Sequence, residues 1–416
     1  MRRLCSLLQM NRGGFRGAEL DSTSMALTKT RDRTLQSIAD FDETTLEAVH
    51  SPLMSPLVWD LGHIAAFEDL WISRTIDEPM LRPELVDIYD ADETPRAKRG
   101  ELPFLKTDGA LAYMEEVQAR TLRLLETGDR RLNPDRLELI IRHEQQHNET
   151  MLQTFQLAHL RSPISEGLES FPADVTVSNQ SGLNLVKIDG AAVPIGAAPD
   201  AGFVYDNETP SHIVEVEAFK IGRTPVTNAA WLEFIERGGY ERSEWWSPEG
   251  WAWRTAEQAS APLTWTKDRR QWWLGELREI DPTEPVIHVS WFEADAFARS
   301  LGLRLPTEFE WELAASWDPV EGVKVEGEPN AASPLGILGM IGNVWEWTST
   351  KFHGYPGFVA YPYREYSEQF FGDRYRVLRG GSWASRPLMA TVTFRNWDLP
   401  QRRQIFSGLR LASDAS

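Results

Sequence analysis

Cysteine is almost absent from this chain: there is one in 416 residues, at position 5. No intramolecular disulfide can form, and no zinc cluster built on two or more thiolates. Positive charge is also in deficit, with 43 Lys and Arg against 62 Asp and Glu, a net charge of −19. A protein that tracks a phosphate backbone needs the opposite balance, so a nucleic-acid partner is excluded. Uninterrupted apolar runs of about 18 residues are missing, so no membrane-spanning helix and no membrane partner are expected. A glycine-rich dinucleotide fingerprint following a strand is likewise missing, as is any internal repeat of about 20–50 residues.

What is present is enough apolar material, 42% hydrophobic with 17 tryptophans, to build real cores. At about 150 residues per domain the length suggests two of them. Residues 1–24 read as a disordered tail; their short apolar patch, Leu4 to Met10, fits a signal peptide poorly, which places the chain in the cytoplasm. From 25 to 165 the pattern is helical. Ser55-Pro56 reads as a cap followed by proline at the first helical position, and Trp59, His63, Phe67 and Leu70 then share one face. Asp108 is expected to cap a third helix, and Asn133-Pro134 to start a fourth. Residues 166–182 are polar and turn-rich, a linker. From 183 to 416 short β-like runs (LVKIDG, HIVEVEAFKIG, YRVLRGGSW) alternate with turns and two helical stretches, near 227–237 and 291–300. The fold class is therefore α+β in two domains, a four-helix bundle followed by an irregular domain held by aromatic packing.

The fourth helix carries His143 and His147 at i, i+4, so both imidazoles leave one face one turn apart. Ile140, Met151 and Thr154 share that face, which turns it toward the bundle interior. His63 lies on the apolar stripe of the second helix. One buried histidine is more often a satisfied core residue than a ligand, but a pair plus a third on a facing stripe favours a metal. Zinc, iron and copper all suit three neutral imidazoles. Glu144 and Glu149 point off this face and are expected to meet solvent or to lie behind the ligands. In the second half, Asn396, Trp397, Asp398, Arg402 and Arg403 place an amide, an aromatic face, a carboxylate and two guanidiniums within eight residues. Such a set suits a zwitterion: a carboxylate for an ammonium, an arginine for a carboxylate, an indole for a quaternary cation.

The segments GNVWEW, RGGSW and the FSGLR ending resemble the formylglycine-generating-enzyme/sulfatase-modifying domain, a C-type-lectin-like fold. SPLVWDLGHIAAFEDLW and HEQQHNETM resemble a DinB-type four-helix bundle. The two in this order, over residues 27 to 412, resemble the sulfoxide synthases of ergothioneine biosynthesis, non-haem iron(II) enzymes. That resemblance implies Fe(2+) held by His63, His143 and His147, with hercynine, γ-glutamylcysteine and O2 as substrates. It implies Gln146 and Asn396 against the imidazole of hercynine and Trp397 against its trimethylammonium group. It gives the γ-glutamyl end of the thiol donor to Arg99, Asp398 and Arg402. An active-site tyrosine is implied within YPGFVAYPYREYSEQFF, where Tyr363 and Tyr361 rank ahead of Tyr366.

Other readings lead elsewhere. A formylglycine-generating oxidase needs a reactive cysteine pair in the second half, where there is none. A DinB-type thiol-dependent zinc transferase leaves the Asn396-Trp397-Asp398 set without a task. A metal-stabilised lectin-like binding module predicts that metal removal changes stability but not ligand affinity. A related synthase joining free cysteine, or acting on histidine, stands nearest to the preferred reading.

Overall fold

The structure is a computed structural model that describes residues 22–165, 184–318, 320–321, 323–324 and 331–415. Most of the expected tail, the lone Cys5 and the linker at 166–182 lie outside the described residues. The chain divides between Glu166 and Gly167 into two compact units.

The first unit is helical: α1 (22–38), α2 (Glu43–Glu47), α3 (Leu57–Ile76), α4 (Thr107–Glu126) and α5 (Pro134–Ala158). The described part of α1 already includes residues 22–24, ahead of the expected Met25. At α5 the sequence signal holds as read, since Asn133 Oδ1 accepts the Asp135 N–H at 2.8 Å and Pro134 opens the helix. At α3 it does not. The cap position falls one residue later than expected, on Pro56, which has no capping side chain, and the Ser55 hydroxyl accepts from Arg99 Nη1 at 2.9 Å. Nor does Asp108 cap α4; Lys106 sits at the cap, and Asp108 lies in the first turn, where its charge complements the helix dipole.

One buried guanidinium ties four helices together. Arg31 on α1 donates to Glu144 on α5 (2.8 Å), to Glu68 on α3 (2.9 Å) and to the Met114 carbonyl on α4 (2.8 Å). The Thr34 and Thr121 hydroxyls donate to Glu144 and Glu68, each at 2.6 Å. Glu144 and Glu149 are thus not solvent groups: they are 2% and 7% exposed. A helical wheel places them off the histidine face correctly, but the opposite face is also buried, against α1. Since Glu144 follows His143 directly, this network fixes the rotation of α5 and so the direction of its histidines.

The second unit pairs short strands. A three-stranded sheet runs in the order β1 (Leu185–Ile188), β4 (Phe219–Gly222), β13 (Ala412–Asp414). A four-stranded sheet runs β11 (Asn396–Asp398), β10 (Arg376–Arg379), β9 (Trp345–Lys351), β12 (Ser407–Leu409), with β12 parallel to β9 and the other pairs antiparallel. Hairpins are formed by β2 (Ala191–Ile195) with β3 (His212–Val216), β5 (Arg270–Trp273) with β6 (Glu276–Glu279), and β7 (Trp317–Asp318) with β8 (Val323–Lys324). Among the described residues four α-helices are present rather than two: α6 (Asn228–Glu236) and α8 (Trp291–Ser300) where expected, plus α7 (Pro248–Glu257) and α9 (Glu308–Ser316). Reciprocal bonds cap α9, the Thr307 hydroxyl taking the Glu310 N–H at 3.1 Å and Glu310 taking the Thr307 N–H at 2.7 Å.

Aromatic packing accounts for only part of this core. Helix α9 aims Glu308 and Glu312, one turn apart, at buried arginines: Glu308 binds Arg395 at 2.7 Å and Arg379 at 3.2 Å, and Glu312 binds Arg379. Beside them Arg410 pairs with Glu346 at 2.7 Å, and the Trp311 indole donates to Glu346 at 2.8 Å. The three arginines are at most 1% exposed. Gly380, in the RGGSW turn, has a φ of +97°, and a Cβ there would lie 2.4 Å from the Met340 carbonyl oxygen.

Candidate metal centre

His63 leaves α3, and His143 and His147 leave α5, and the three rings meet inside the helical unit. Ring centroids are 4.6 to 4.9 Å apart, and one nitrogen from each ring lies within 4.8 Å of the other two. The Nε2 atoms of His63 and His143 are 3.1 Å apart. Each ring is held from behind. Nδ1 of His63 donates to the Tyr89 carbonyl at 2.7 Å, which leaves the Nε2 lone pair facing the other rings. Trp59 stacks on His63 (4.9 Å, 12°), and Phe67 stacks on His143 (3.6 Å, 6°). Nδ1 of His147 lies 3.3 Å from Asp60 Oδ1. Gly62 lets the Tyr89 ring approach α3, since a Cβ there would fall 2.2 Å from that ring.

Burial pushes the pKa values of His63 and His143 well below the ordinary histidine value, and the charge of a protonated His147 would push them further. Both are therefore neutral near pH 7, with lone pairs available. Three neutral imidazoles and no thiolate form a donor set for a transition metal with positions left open. The residues present thus fit a three-histidine metal centre, and the expected ligands are the ones brought together.

The other expected residues of this unit fare differently. Gln146 lies half-buried on α5, next to His147 and one turn from His143. Arg99, expected to hold a substrate carboxylate, is 5% exposed and spends its nitrogens on the Thr94 carbonyl, the Ser55 hydroxyl and the Ala91 carbonyl. Its guanidinium lies 3.8 Å above the Trp59 ring, completing a stack of Arg99, Trp59 and His63. Burial lowers its pKa to about 10. Arg96 was missed by the sequence reading. It is half-buried, its charge acts on His63 together with that of Arg99, and its Nη1 rests on Met54 Sδ at 3.8 Å. The signal was the R-A-K-R spacing, because i and i+3 eclipse in the 3₁₀ turn Arg96–Glu101.

In the second unit, Asn396, Trp397 and Asp398 form the edge strand β11, all half-buried. Trp397 stacks on Phe352 (4.3 Å, 7°) and meets Tyr366 edge-on at 5.7 Å. Strand pleating sends Trp397 and Asp398 to opposite faces. Asp398 accepts from the Leu399 N–H (2.7 Å) and from Gln404 (3.1 Å), and Arg402 stands 3.8 Å away. Asn396 Oδ1 accepts the Trp397 N–H at 2.9 Å. Arg403 turns elsewhere, to Glu293 at 3.5 Å and over the Trp253 ring at 5.3 Å. Among the tyrosines, Tyr366, ranked last from sequence, is the one against Trp397; Tyr363 packs edge-on to Tyr366 at 6.0 Å, and Tyr361 is 38% exposed. Among the described residues, no helix is long and apolar enough to cross a membrane.

Comparison with known proteins agrees with both halves. Residues 26–151 match the DinB superfamily, and residues 172–324 and 318–415 match the sulfatase-modifying factor enzyme 1-like domain. The chain is 43% identical to hercynine oxygenase of Mycolicibacterium smegmatis, over 93% of this chain and 97% of that protein. It is 42% identical to hercynine oxygenase of Mycobacterium tuberculosis, over 93% and 97%. With hercynine oxygenase of Mycolicibacterium thermoresistibile the identity is 40%, over 93% and 94%. A DinB-type helical bundle carrying a three-histidine cluster, joined to a sulfatase-modifying-factor-like domain and matched over nearly its whole length by these enzymes, makes the chain an oxygenase of the hercynine oxygenase family.

Proposed function

We propose that this enzyme is an iron(II)-dependent sulfoxide synthase that uses O2 to join the sulfur of γ-glutamylcysteine to the imidazole of hercynine. The observation that carries the reading is the cluster of three imidazoles, two of them held neutral by burial, in a chain so close to known hercynine oxygenases. Iron(II) held by His63, His143 and His147 would supply a redox-active Lewis acid with positions open to a thiolate, an imidazole and dioxygen. The balance closes without a further cofactor. The C–H and S–H bonds are replaced by C–S, the sulfur takes one oxygen atom, and the other leaves as water. The two substrates supply all four electrons.

Roles follow from the chemistry of each side chain. In the helical unit, Gln146 beside the histidines is assigned to the hercynine imidazole. Arg96 is assigned to a carboxylate of the thiol donor, with Arg99 adding charge and holding Trp59 against His63. In the second unit, Trp397 is assigned to the trimethylammonium group and Asn396 to the imidazole, while Asp398 and Arg402 take the ammonium and carboxylate of the γ-glutamyl group. Tyr363 or Tyr361 is assigned to proton transfer, and Tyr366 to packing against Trp397. The single cysteine and the absence of a membrane-crossing helix among the described residues support a cytoplasmic setting.

Arg402→Ala is expected to raise KM for γ-glutamylcysteine by roughly 10-fold or more, the value of a charge-assisted hydrogen bond, with KM for hercynine unchanged. Steady-state kinetics with each substrate varied separately checks this. Equal effects on both substrates, or free cysteine used better than γ-glutamylcysteine by the unmodified enzyme, would reject the assigned donor.

A further inference from the structure

Asp60 is fully buried in α3, and among the described residues no well-aligned hydrogen bond reaches either of its carboxylate oxygens. Its near neighbour is His147, whose Nδ1 stands 3.3 Å from Asp60 Oδ1 and is itself buried without an aligned partner. The Arg99 guanidinium also feels the Asp60 charge, although its nitrogens are taken up by Thr94, Ser55 and Ala91. A carboxylate left bare in a protein interior is strongly unfavourable, so a fold that keeps one needs a compensating charge or donor. Asp60 lies three residues before His63 and thus on the same side of α3, facing α5. His63, by comparison, already has a neutral backbone acceptor behind it, the Tyr89 carbonyl.

We propose that Asp60 is a positioning residue of the metal centre. Its carboxylate takes the Nδ1–H of His147, so that this ring presents Nε2 toward the other two imidazoles, and it places one negative charge behind a cluster of neutral ligands. At 3.3 Å the two groups are within reach of that hydrogen bond, and a cation held on the far side of the ring would strengthen Nδ1–H as a donor. With His63 backed by a carbonyl and His147 by a carboxylate, the centre is electrically asymmetric, and His147 is its most electron-rich ligand. This inference rests on the three-histidine reading and adds a fourth residue to it.

The test uses the full-length chain loaded anaerobically with iron(II), and with cobalt(II) as a spectroscopic probe. Asp60→Asn is expected to weaken metal binding by about 10–100-fold, the usual effect of removing the group behind a ligand. The metal-free Tm is expected not to fall, because a bare buried carboxylate is replaced by a neutral amide. A lower metal-free Tm with unchanged metal affinity would make Asp60 structural and overturn the proposal. A second measurement needs no variant: imidazole 15N NMR of the zinc-loaded unmodified protein should show His147 protonated at Nδ1 and in slow exchange, and a proton on Nε2 would overturn it. Failure of the unmodified chain to bind any of these metals would reject the centre itself. Equal binding by the unmodified and Asp60→Asn proteins would reject the role of Asp60 alone.

Discussion

His147→Ala is expected to abolish turnover and to remove iron binding at micromolar metal, while the chain still folds. Both expectations come from the same geometry. Two imidazoles would remain, and the loss of a direct ligand costs more than the about 10–100-fold lost when a group behind a ligand is removed. Folding should survive, at a lower Tm because the Asp60 carboxylate loses its neighbour, since His147 sits on a long helix and alanine is a better helix former. Helix α5 is moreover anchored one turn away by Glu144, bonded to Arg31 and Thr34. Iron content after anaerobic loading, circular dichroism and product formation together check the prediction. Retained turnover would show that His147 is not a ligand.

The second large effect lies in the other unit and concerns stability. Glu308→Ala should lower its thermal transition by roughly 6–20 °C, the equivalent of about 3–5 kcal/mol for breaking a buried ion pair from one side. Arg395, 1% exposed, would lose both carboxylate bonds (2.7 and 2.9 Å) and keep only the carbonyls of Asn207 and His353. Arg379 would retain Glu312 and the Val392 carbonyl. A loss of this size is a large part of the stability of an ordinary domain. Replacing both partners, Glu308→Leu with Arg395→Met, should recover part of it, because an apolar pair leaves no bare charge behind. Calorimetry on the full chain reads both variants. A Glu308→Ala shift under about 2 °C would mean that this network contributes little.

How far the sequence could be read depends on how local the determining interaction is. Asn133-Pro134 states its helix start within three residues, and the i, i+4 spacing of His143 and His147 states that they share a face; both hold in the structure. The cap expected at Ser55 falls on Pro56 instead, and the Ser55 hydroxyl serves Arg99, 44 residues away. Asp60 has no local signature, since a carboxylate among helical residues reads as exposed until its neighbour on another helix is known. Helix α9 was legible in principle, because Thr307 and Glu310 form a capping box, but EFEWE stands out first as a motif of charges and aromatics. What those glutamates do depends on Arg379, Arg395 and Arg410, brought to them by strands and turns from 67 to 87 residues away or folded beside them on Glu346. The tyrosines of 361–366 lie in irregular chain with no period, and only the structure puts Tyr366 rather than its neighbours on Trp397.

The central claim, that a three-histidine iron centre couples a thiol to an imidazole, is tested most directly by one turnover measurement. The full-length protein is loaded with iron(II) without oxygen, given hercynine and γ-glutamylcysteine, and then exposed to a known amount of O2. The account predicts no product before oxygen, and afterwards a C–S-bonded sulfoxide by mass spectrometry, one O2 consumed per product, with one oxygen atom from 18O2 in the sulfoxide. Iron bound at one per chain with O2 present and no such product would contradict it.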